Sequence, residues 1–378
     1  MIYLDHAATT PLDDRVKQVM LPYLEDSFHN PSSPYQGGVK IRADIEEARA
    51  KVSKVVNARP EDIIFSSGGT ESANMAIKGV AWNMSDRGRH LITSEIEHHA
   101  VLDTFKWLEK QGFKVTYLPV DGEGRVDPEQ LKKSIQSDTI LISVMWANNE
   151  TGTIQPIREL GAVAAEHDIL FHTDAVQTVG TEEIDVEDLD VDLISFSSHK
   201  IYGPKSAGAL FCRSGVNLTP LIHGGSQENQ KRGGTESVAN IIGFGMAAEL
   251  LTQERTKRAE HLQTLRNIIW DSISEIEDVR INSHLTQSIP GIINLSVPGI
   301  EGEALLILLD QSGIQASQSS ACTTIDLEPS HVLKAIGVPN DHLRGSIRLS
   351  PGKDSSRKEI LEALKTIKQL ISRLRNNQ

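Results

Sequence analysis

The stretch Ile157-Arg-Glu-Leu-Gly-Ala-Val-Ala-Ala-Glu-His-Asp-Ile-Leu-Phe-His-Thr-Asp174 combines two structural patterns. Its first part, Ile157–His167, has the apolar spacing of an amphipathic helix, and Ile169–Thr173 is a short apolar run typical of a buried strand. The same succession of helix and strand recurs through most of the N-terminal two thirds of the chain. Alternation of this kind predicts an α/β fold whose mainly parallel, seven-stranded sheet is covered by helices.

The remaining predicted elements extend this pattern in both directions. The other expected strands are Asp62–Ser66, His90–Thr93, Lys114–Pro119, Thr139–Met145, Asp192–Ser195 and Ala207–Cys212, and the other expected helices are Val39–Val56, Thr70–Met84, Ala100–Lys110 and Pro128–Ile135. After Gly234 we expect a long helix and a smaller α+β region, with elements Ser237–Ile276, Ile292–Val297, Gly302–Gln311, Ile314–Ser317, Ser346–Ser350 and Ser355–Arg375. We therefore predict a large domain over residues 15–254 and a small domain made of residues 1–14 and 255–378.

Composition excludes several classes of protein. The 378 residues carry a net charge of −13, which argues against a nucleic-acid-binding scaffold. Two cysteines exclude a disulfide framework and favour a reducing compartment. No signal-peptide pattern and no apolar run of about 18 residues is present, so we expect a cytoplasmic protein without a membrane span. Neither cysteine nor histidine spacing indicates a metal site.

Three loops at predicted strand ends carry polar residues. In Ser66-Ser-Gly-Gly-Thr-Glu71, two glycines before a helix suit an anion, although Thr70 is equally consistent with an ordinary N-cap. Asp174 ends a strand, where a lone aspartate is usually a turn or helix cap. Lys200 follows a buried-looking strand, and burial would make its amine nucleophilic, although a lone lysine is more often solvated. Together, the three loops supply what pyridoxal phosphate requires: a phosphate cradle, an anion for the pyridinium and a lysine for the aldehyde.

The chain resembles the cysteine desulfurases of the class V aminotransferases, which are fold-type I enzymes, and most closely their group I branch of iron–sulfur-cluster and nitrogen-fixation desulfurases. The matching segments follow one another in family order from end to end: Tyr3-Leu-Asp-His-Ala-Ala-Thr-Thr-Pro11, Ser67-Gly-Gly-Thr-Glu-Ser72, Glu97-His-His-Ala-Val-Leu102, Asn148-Asn-Glu-Thr-Gly152, His172-Thr-Asp-Ala-Val-Gln177, Ser198-His-Lys-Ile-Tyr-Gly-Pro204, Ser320-Ala-Cys-Thr323 and Glu328-Pro-Ser-His-Val-Leu333.

The resemblance implies a role for each matching site residue. The implied cofactor-binding residues are Lys200, Asp174, Gln177, Asn149, Gly69, Thr70, Ser197 and His199, with Thr235 reaching the phosphate site of a partner subunit. His98 would stack on the cofactor ring and help to move protons. Arg348 would bind the substrate carboxylate with its planar fork, beside Asn149.

Cys322 is the implied nucleophile. It lies among small polar residues, which indicate an exposed, mobile loop, whereas Cys212 ends an apolar strand and is predicted to be a core residue. Two positions depart from the group I pattern: Ser319 replaces a glycine, and Asn229 replaces an arginine. We expect these changes to affect the acceptor protein and the turnover rate more than the reaction.

The implied reaction converts L-cysteine to L-alanine and leaves a persulfide on Cys322, which passes sulfur to an acceptor protein such as an iron–sulfur scaffold. We expect a homodimer with no direct role in nucleic-acid binding. The alternatives are a selenocysteine lyase, another lyase or transaminase on the same cofactor, and a non-catalytic sulfur-relay scaffold.

Overall fold

The computed structural model describes residues 1–318 and 329–376. Within these ranges the strands are β1 (Ile2–Tyr3), β2 (Ile63–Ser66), β3 (His90–Ser94), β4 (Lys114–Leu118), β5 (Thr139–Ser143), β6 (Leu170–Asp174), β7 (Leu193–Ser197), β8 (Gly208–Cys212), β9 (Arg280–Ile281), β10 (Ile293–Ser296), β11 (Ile314–Gln315) and β12 (Ser346–Leu349). The α-helices in the same ranges are α1 (Asp14–Leu24), α2 (Gln36–Ser53), α3 (Gly69–Asn83), α4 (His99–Lys110), α5 (Pro128–Ser134), α6 (Ile157–Glu166), α7 (Val238–Ser274), α8 (Gly302–Gln311), α9 (His331–Ala335), α10 (Asn340–Leu343) and α11 (Arg357–Asn376).

Seven of the strands form one sheet in the order β2-β8-β7-β6-β5-β3-β4. Neighbouring strands from β7 to β4 are parallel, whereas β8 runs antiparallel to both β7 and β2. The predicted α/β fold with a mainly parallel seven-stranded sheet is confirmed, and each predicted strand agrees with the observed one to within two residues at either end.

The sheet is buried on both faces because alternate side chains enter different apolar cores. Along β7, Ile194 and Phe196 pack into one core together with side chains of α2, α6 and α7. Leu193 points to the opposite face of the sheet from Ile194, and it packs into the other core with α3 and α4. Parallel strands covered by helices in this way are apolar along their whole length, which is why short continuous apolar runs identified them.

A third core surrounds the antiparallel sheet β12-β10-β9 and includes side chains of α8 and α11. Ile2 and Leu4 of the N-terminal segment also belong to it, and β1 pairs with β11. Helix α7 contributes Leu251 to the first core and Leu265 to the third. The predicted domain boundary at residue 254 therefore falls inside a continuous helix, and the division of the chain into two domains stays a prediction.

The predicted helices are present with ends shifted by up to three residues. Two helices were missed, the short α10 and the longer α1. Its first residue follows Asp13, whose carboxylate accepts a hydrogen bond from the Arg15 amide at 3.0 Å, an ordinary N-cap. Only Val16 and Met20 of this helix are buried, so its apolar pattern in the sequence is weak. Among the helices of the described ranges, none is long and apolar enough to cross a membrane.

Candidate active site

A cavity of about 320 Å³ lies at the carboxyl ends of β6 and β7. Ten of the predicted site residues line it: Gly69, Thr70, His98, Asn149, Asp174, Gln177, Ser197, His199, Lys200 and Arg348. Thr235 is exposed and does not line this cavity. Cys322 and Ser319 lie outside the described residues. The structure thus brings together side chains that are separated by up to 279 positions in the chain.

Lys200 ends a single 3-10 turn that directly follows β7. Its Nζ donates hydrogen bonds to the carbonyl oxygens of Ala7 and Ala8, at 2.5 and 2.9 Å. The next turn is tight, since Tyr202 has φ of 70°, a value that is uncommon for a residue other than glycine. The lysine amine is therefore held at the cavity wall by backbone acceptors of the N-terminal segment.

Asp174 is the last residue of β6, and its carboxyl group is buried. Burial raises its pKa to about 6, while the hydrogen bond from the Val176 amide at 2.9 Å and the positive charge of Lys200 lower it. A buried carboxylate in this position would be stabilised by a cationic group placed in the cavity.

The loop before α3 has the shape of an anion cradle. Gly68 has φ of 151°, and a Cβ on Gly69 would lie 2.6 Å from a methyl carbon of Val176. On the other side, a Cβ on Gly208 would lie 2.5 Å from the Cα of Gly68. Only glycine allows these close approaches. The first N–H groups of α3 lie beside the cavity as a result, and the N-terminus of a helix attracts anions. Ser197 and His199 line the cavity beside this loop.

His98 caps α4 with its ring. Its Nδ1 accepts a hydrogen bond from the Ala100 amide at 3.1 Å, so in the neutral ring the proton is on Nε2. Burial, together with the positive charge of Lys200, lowers the pKa of His98 to about 4. The ring is therefore neutral near pH 7, with an N–H donor on the nitrogen that does not cap the helix.

Arg348 enters the cavity from β12, and it is 2% exposed. Its guanidinium donates to the backbone oxygen of Asn149 and to the Asp5 carboxylate, each at 2.8 Å. Gln177 donates from Nε2 to the carbonyl oxygen of Ala7 at 3.0 Å. Its amide is thus anchored to the same segment that holds Lys200.

Three carboxyl groups at or near the cavity were not singled out from the sequence: Asp5, Glu97 and Glu150. Burial raises the pKa of Glu97 to about 8 and that of Glu150 to about 7. The Ser330 hydroxyl donates to Glu150 at 2.5 Å. Each carboxyl group lies in one of the segments that carry the family resemblance. Glu97 and Glu150 are next to the predicted site residues His98 and Asn149, whereas nothing adjacent to Asp5 in the sequence marks it.

Known proteins share both the sequence and the fold of this chain. The family model described as aminotransferase class-V matches residues 2–362. A cysteine desulfurase IscS of Dictyoglomus turgidum is 52% identical over 375 residues, which cover 99% of this chain and 95% of that protein. A solved NifS-like protein is 39% identical with a TM-score of 0.93, covering 99% of this chain and 100% of that one. The structure described as SspA in complex with cysteine is 37% identical with a TM-score of 0.84, covering 94% and 100% of the two chains. The chain belongs to the class V aminotransferase family and, within it, to the cysteine desulfurases.

Proposed function

We propose that this protein binds pyridoxal phosphate and converts L-cysteine to L-alanine, with transfer of the sulfur to Cys322. The observation that carries the proposal is a single cavity that contains the amine of Lys200, the buried carboxyl of Asp174, a glycine cradle and the guanidinium of Arg348. Relatives that cover nearly the whole chain are named cysteine desulfurases, and one solved relative is described in complex with cysteine.

The residues present fit pyridoxal phosphate. The N–H groups at the start of α3, with Thr70 and Ser197, suit the phosphate, and glycine at position 69 lets this turn approach Val176, where a Cβ would collide with a methyl group at 2.6 Å. Asp174 suits the ring nitrogen, and Lys200 suits the aldehyde. When bound, the cofactor acts as an electron sink for the substrate α-carbon.

The chain's own residues then bind the substrate and move its protons. Arg348 pairs with the α-carboxylate, for which a guanidinium offers two parallel N–H donors. Nζ of Lys200, when it is not bonded to the cofactor, would accept the α-proton of the substrate. His98 lines the cavity and stays neutral near pH 7 with its proton on Nε2, so its ring can offer a hydrogen-bond donor to the reacting groups.

Sulfur transfer requires a thiolate, which we assign to Cys322 from its place in the family motif. Its sulfur attacks the substrate sulfur, and an S–S bond forms as the Cβ–S bond of the substrate breaks. The electron pair of the broken bond stays with the three-carbon fragment, which takes up a proton and leaves as alanine. The persulfide then passes its outer sulfur to an acceptor protein, which we propose is an iron–sulfur scaffold.

We further propose a cytoplasmic homodimer. Thr235 is exposed and does not line the cavity of its own chain, which agrees with a role at the phosphate site of a partner subunit. Sedimentation of the wild type would reveal the dimer. Loss of cofactor affinity in Thr235→Ala would support the assignment of the threonine.

The activity is tested by assaying alanine and protein-bound persulfide after L-cysteine is added to the wild type, Cys322→Ala and Cys212→Ala. Cys212 is the matched control because its thiol is 1% exposed, and burial raises its pKa to about 11, so it is not nucleophilic. We expect alanine from the wild type and from Cys212→Ala, and a loss of at least a hundredfold in Cys322→Ala with the visible absorbance of the cofactor unchanged. Alanine at the wild-type rate from Cys322→Ala would refute the nucleophile, and no alanine from the wild type would refute the proposed reaction.

A further inference from the structure

The guanidinium of Arg348 is fixed on two of its three nitrogens. One terminal nitrogen donates to the backbone oxygen of Asn149, and the other donates to Oδ1 of Asp5, both at 2.8 Å. Within the described residues, the buried Nε has no hydrogen-bond partner. The group is therefore oriented by the protein, and each terminal nitrogen carries a second N–H that these two bonds do not use, on a side chain that lines the cavity.

Asp5 is itself fixed by the backbone around it. The Ser350 amide donates to the carbonyl oxygen of Leu4 at 2.7 Å, and the His6 amide donates to the carbonyl oxygen of Ser350 at 3.0 Å. The Tyr3 hydroxyl donates to the carbonyl oxygen of Asp5 at 3.0 Å. These bonds align the N-terminal segment beside the end of β12, so the carboxylate meets Arg348 in one defined position.

The same segment also holds the amine. Two and three residues after Asp5, the carbonyl oxygens of Ala7 and Ala8 accept the hydrogen bonds of Lys200. The Ala7 amide donates to the Ser350 hydroxyl at 3.0 Å. The short segment 5–8 therefore contacts the cation assigned to the substrate carboxylate through Asp5 and the lysine assigned to the reaction through Ala7 and Ala8, and it sets the spacing between the two groups.

We propose that Asp5 is a positioning residue for the α-carboxylate of the substrate, acting through Arg348. A free arginine side chain loses rotamer entropy when a ligand fixes it, and a guanidinium that is already oriented avoids most of that cost. Asp5 thereby raises the affinity for amino acids that carry an α-carboxylate and leaves the affinity for amines without one unchanged. The identity of the substrate rests on the proposed function, but the effect on carboxylate binding does not require desulfuration.

The competing role for Asp5 is that of a counter-ion, because a buried guanidinium is costly without a negative charge nearby. Two substitutions separate the roles. Asp5→Asn keeps an oxygen acceptor at the same position but removes the charge, whereas Asp5→Glu keeps the charge but moves the carboxylate outward by one methylene. Asp13→Asn is the matched control, since Asp13 also links the N-terminal segment to charged groups, Lys353 and Arg15, but does not contact Arg348.

The experiment measures dissociation constants of L-alanine and of ethylamine for the cofactor-loaded protein, from the change in its visible absorbance, with melting temperatures as the check on folding. We expect Asp5→Glu to weaken L-alanine binding about tenfold, Asp5→Asn to weaken it less than threefold, and neither variant to change ethylamine binding. Asp13→Asn should change neither ligand. The proposal would be overturned by any of three results. Both ligands could bind more weakly to the same extent, Asp5→Glu could have no effect, or Asp5→Asn could have a larger effect than Asp5→Glu. Because L-alanine binding is read without turnover, these outcomes stay distinct from a failure to form alanine from cysteine.

Discussion

Glu97 has a buried carboxyl group whose protonation should be visible in the stability of the protein. Its Oε1 accepts hydrogen bonds from the Ser94 hydroxyl at 2.6 Å and from the Met145 amide at 2.8 Å. No described residue hydrogen-bonds to its Oε2, which is also buried. Burial raises the pKa to about 8, against the two hydrogen bonds that lower it, and the nearby charge of Asp174 raises it further.

The carboxyl of Glu97 holds its proton more tightly in the folded protein than in the unfolded chain, and this difference sets the sign of the pH dependence. In the unfolded chain a glutamate titrates near pH 4.3, so it is ionised throughout neutral pH. In the folded protein the carboxyl keeps its proton until the pH passes about 8. Its contribution to stability is therefore fully present below about pH 4.3, falls progressively as the pH rises between the two pKa values, and is gone once the pH is well above 8. Integrating the difference in bound protons from pH 7 to pH 9 gives a loss of about 1.4 kcal/mol in the free energy of unfolding.

Glu97→Gln removes the titrating group but keeps the oxygen acceptor for Ser94 and Met145. We expect the cofactor-free wild type to lose about 1.4 kcal/mol more stability between pH 7 and pH 9 than the variant, measured by urea denaturation at the two pH values. Glu25→Gln, at an exposed position, is the control and should behave as the wild type does. If the wild type and Glu97→Gln lose the same stability, the carboxyl is not protonated at pH 7 and the reasoning fails.

Further predictions concern residues with left-handed backbone conformations and a glycine beside the loop before α3. Gln230 is exposed and has φ of 64°, a left-handed value that costs about 1 kcal/mol or more for glutamine. Glycine adopts this conformation without that cost but loses more backbone entropy on folding, so Gln230→Gly should raise the free energy of unfolding by about 0.5 kcal/mol. Asn229→Gly, at φ of 53°, should gain less because asparagine tolerates this region, and an equal gain in urea denaturation would contradict the argument. Gly208→Ala should weaken pyridoxal phosphate binding at least about tenfold, because the added Cβ would displace Gly68. Gly122→Ala is the control and should leave the affinity unchanged, since its Cβ would meet no atom within 4 Å. A titration of both variants with the cofactor tests this, and unchanged affinity in Gly208→Ala would show that the loop before α3 does not form the cradle.

Much of the sheet could be predicted because its signal is local. Strands such as β5 and β7 are buried on both faces, so each is a short continuous run of apolar and small residues bounded by polar loops. Helix α1 was missed because only two of its side chains are buried, and the direction of β8 was not predicted because strand polarity depends on pairing rather than on composition.

Some residues of the candidate site could likewise be predicted from the local sequence, and others could not. Asp174 and Lys200 stand at strand ends, where polar residues in an α/β fold are exposed to ligands, and the family motifs assigned them roles. Asp5 and Glu97 were passed over because nothing in their immediate sequence shows what surrounds them. The carboxyl of Asp5 meets a guanidinium 343 positions away, and the altered pKa of Glu97 comes from side chains that surround it only after folding.

The amino-acid sequence by itself determined the α/β class, the succession of its elements and the family, because these depend on periodicity, turn residues and motifs that lie within a few positions of one another. The tertiary structure decided the order of the strands, the continuity of α7 through the expected domain boundary, and the way residues 5–8 hold Lys200 and Arg348 at the same cavity. Those features are contacts between distant parts of the chain, and their energies depend on burial and orientation, which exist only in the folded protein.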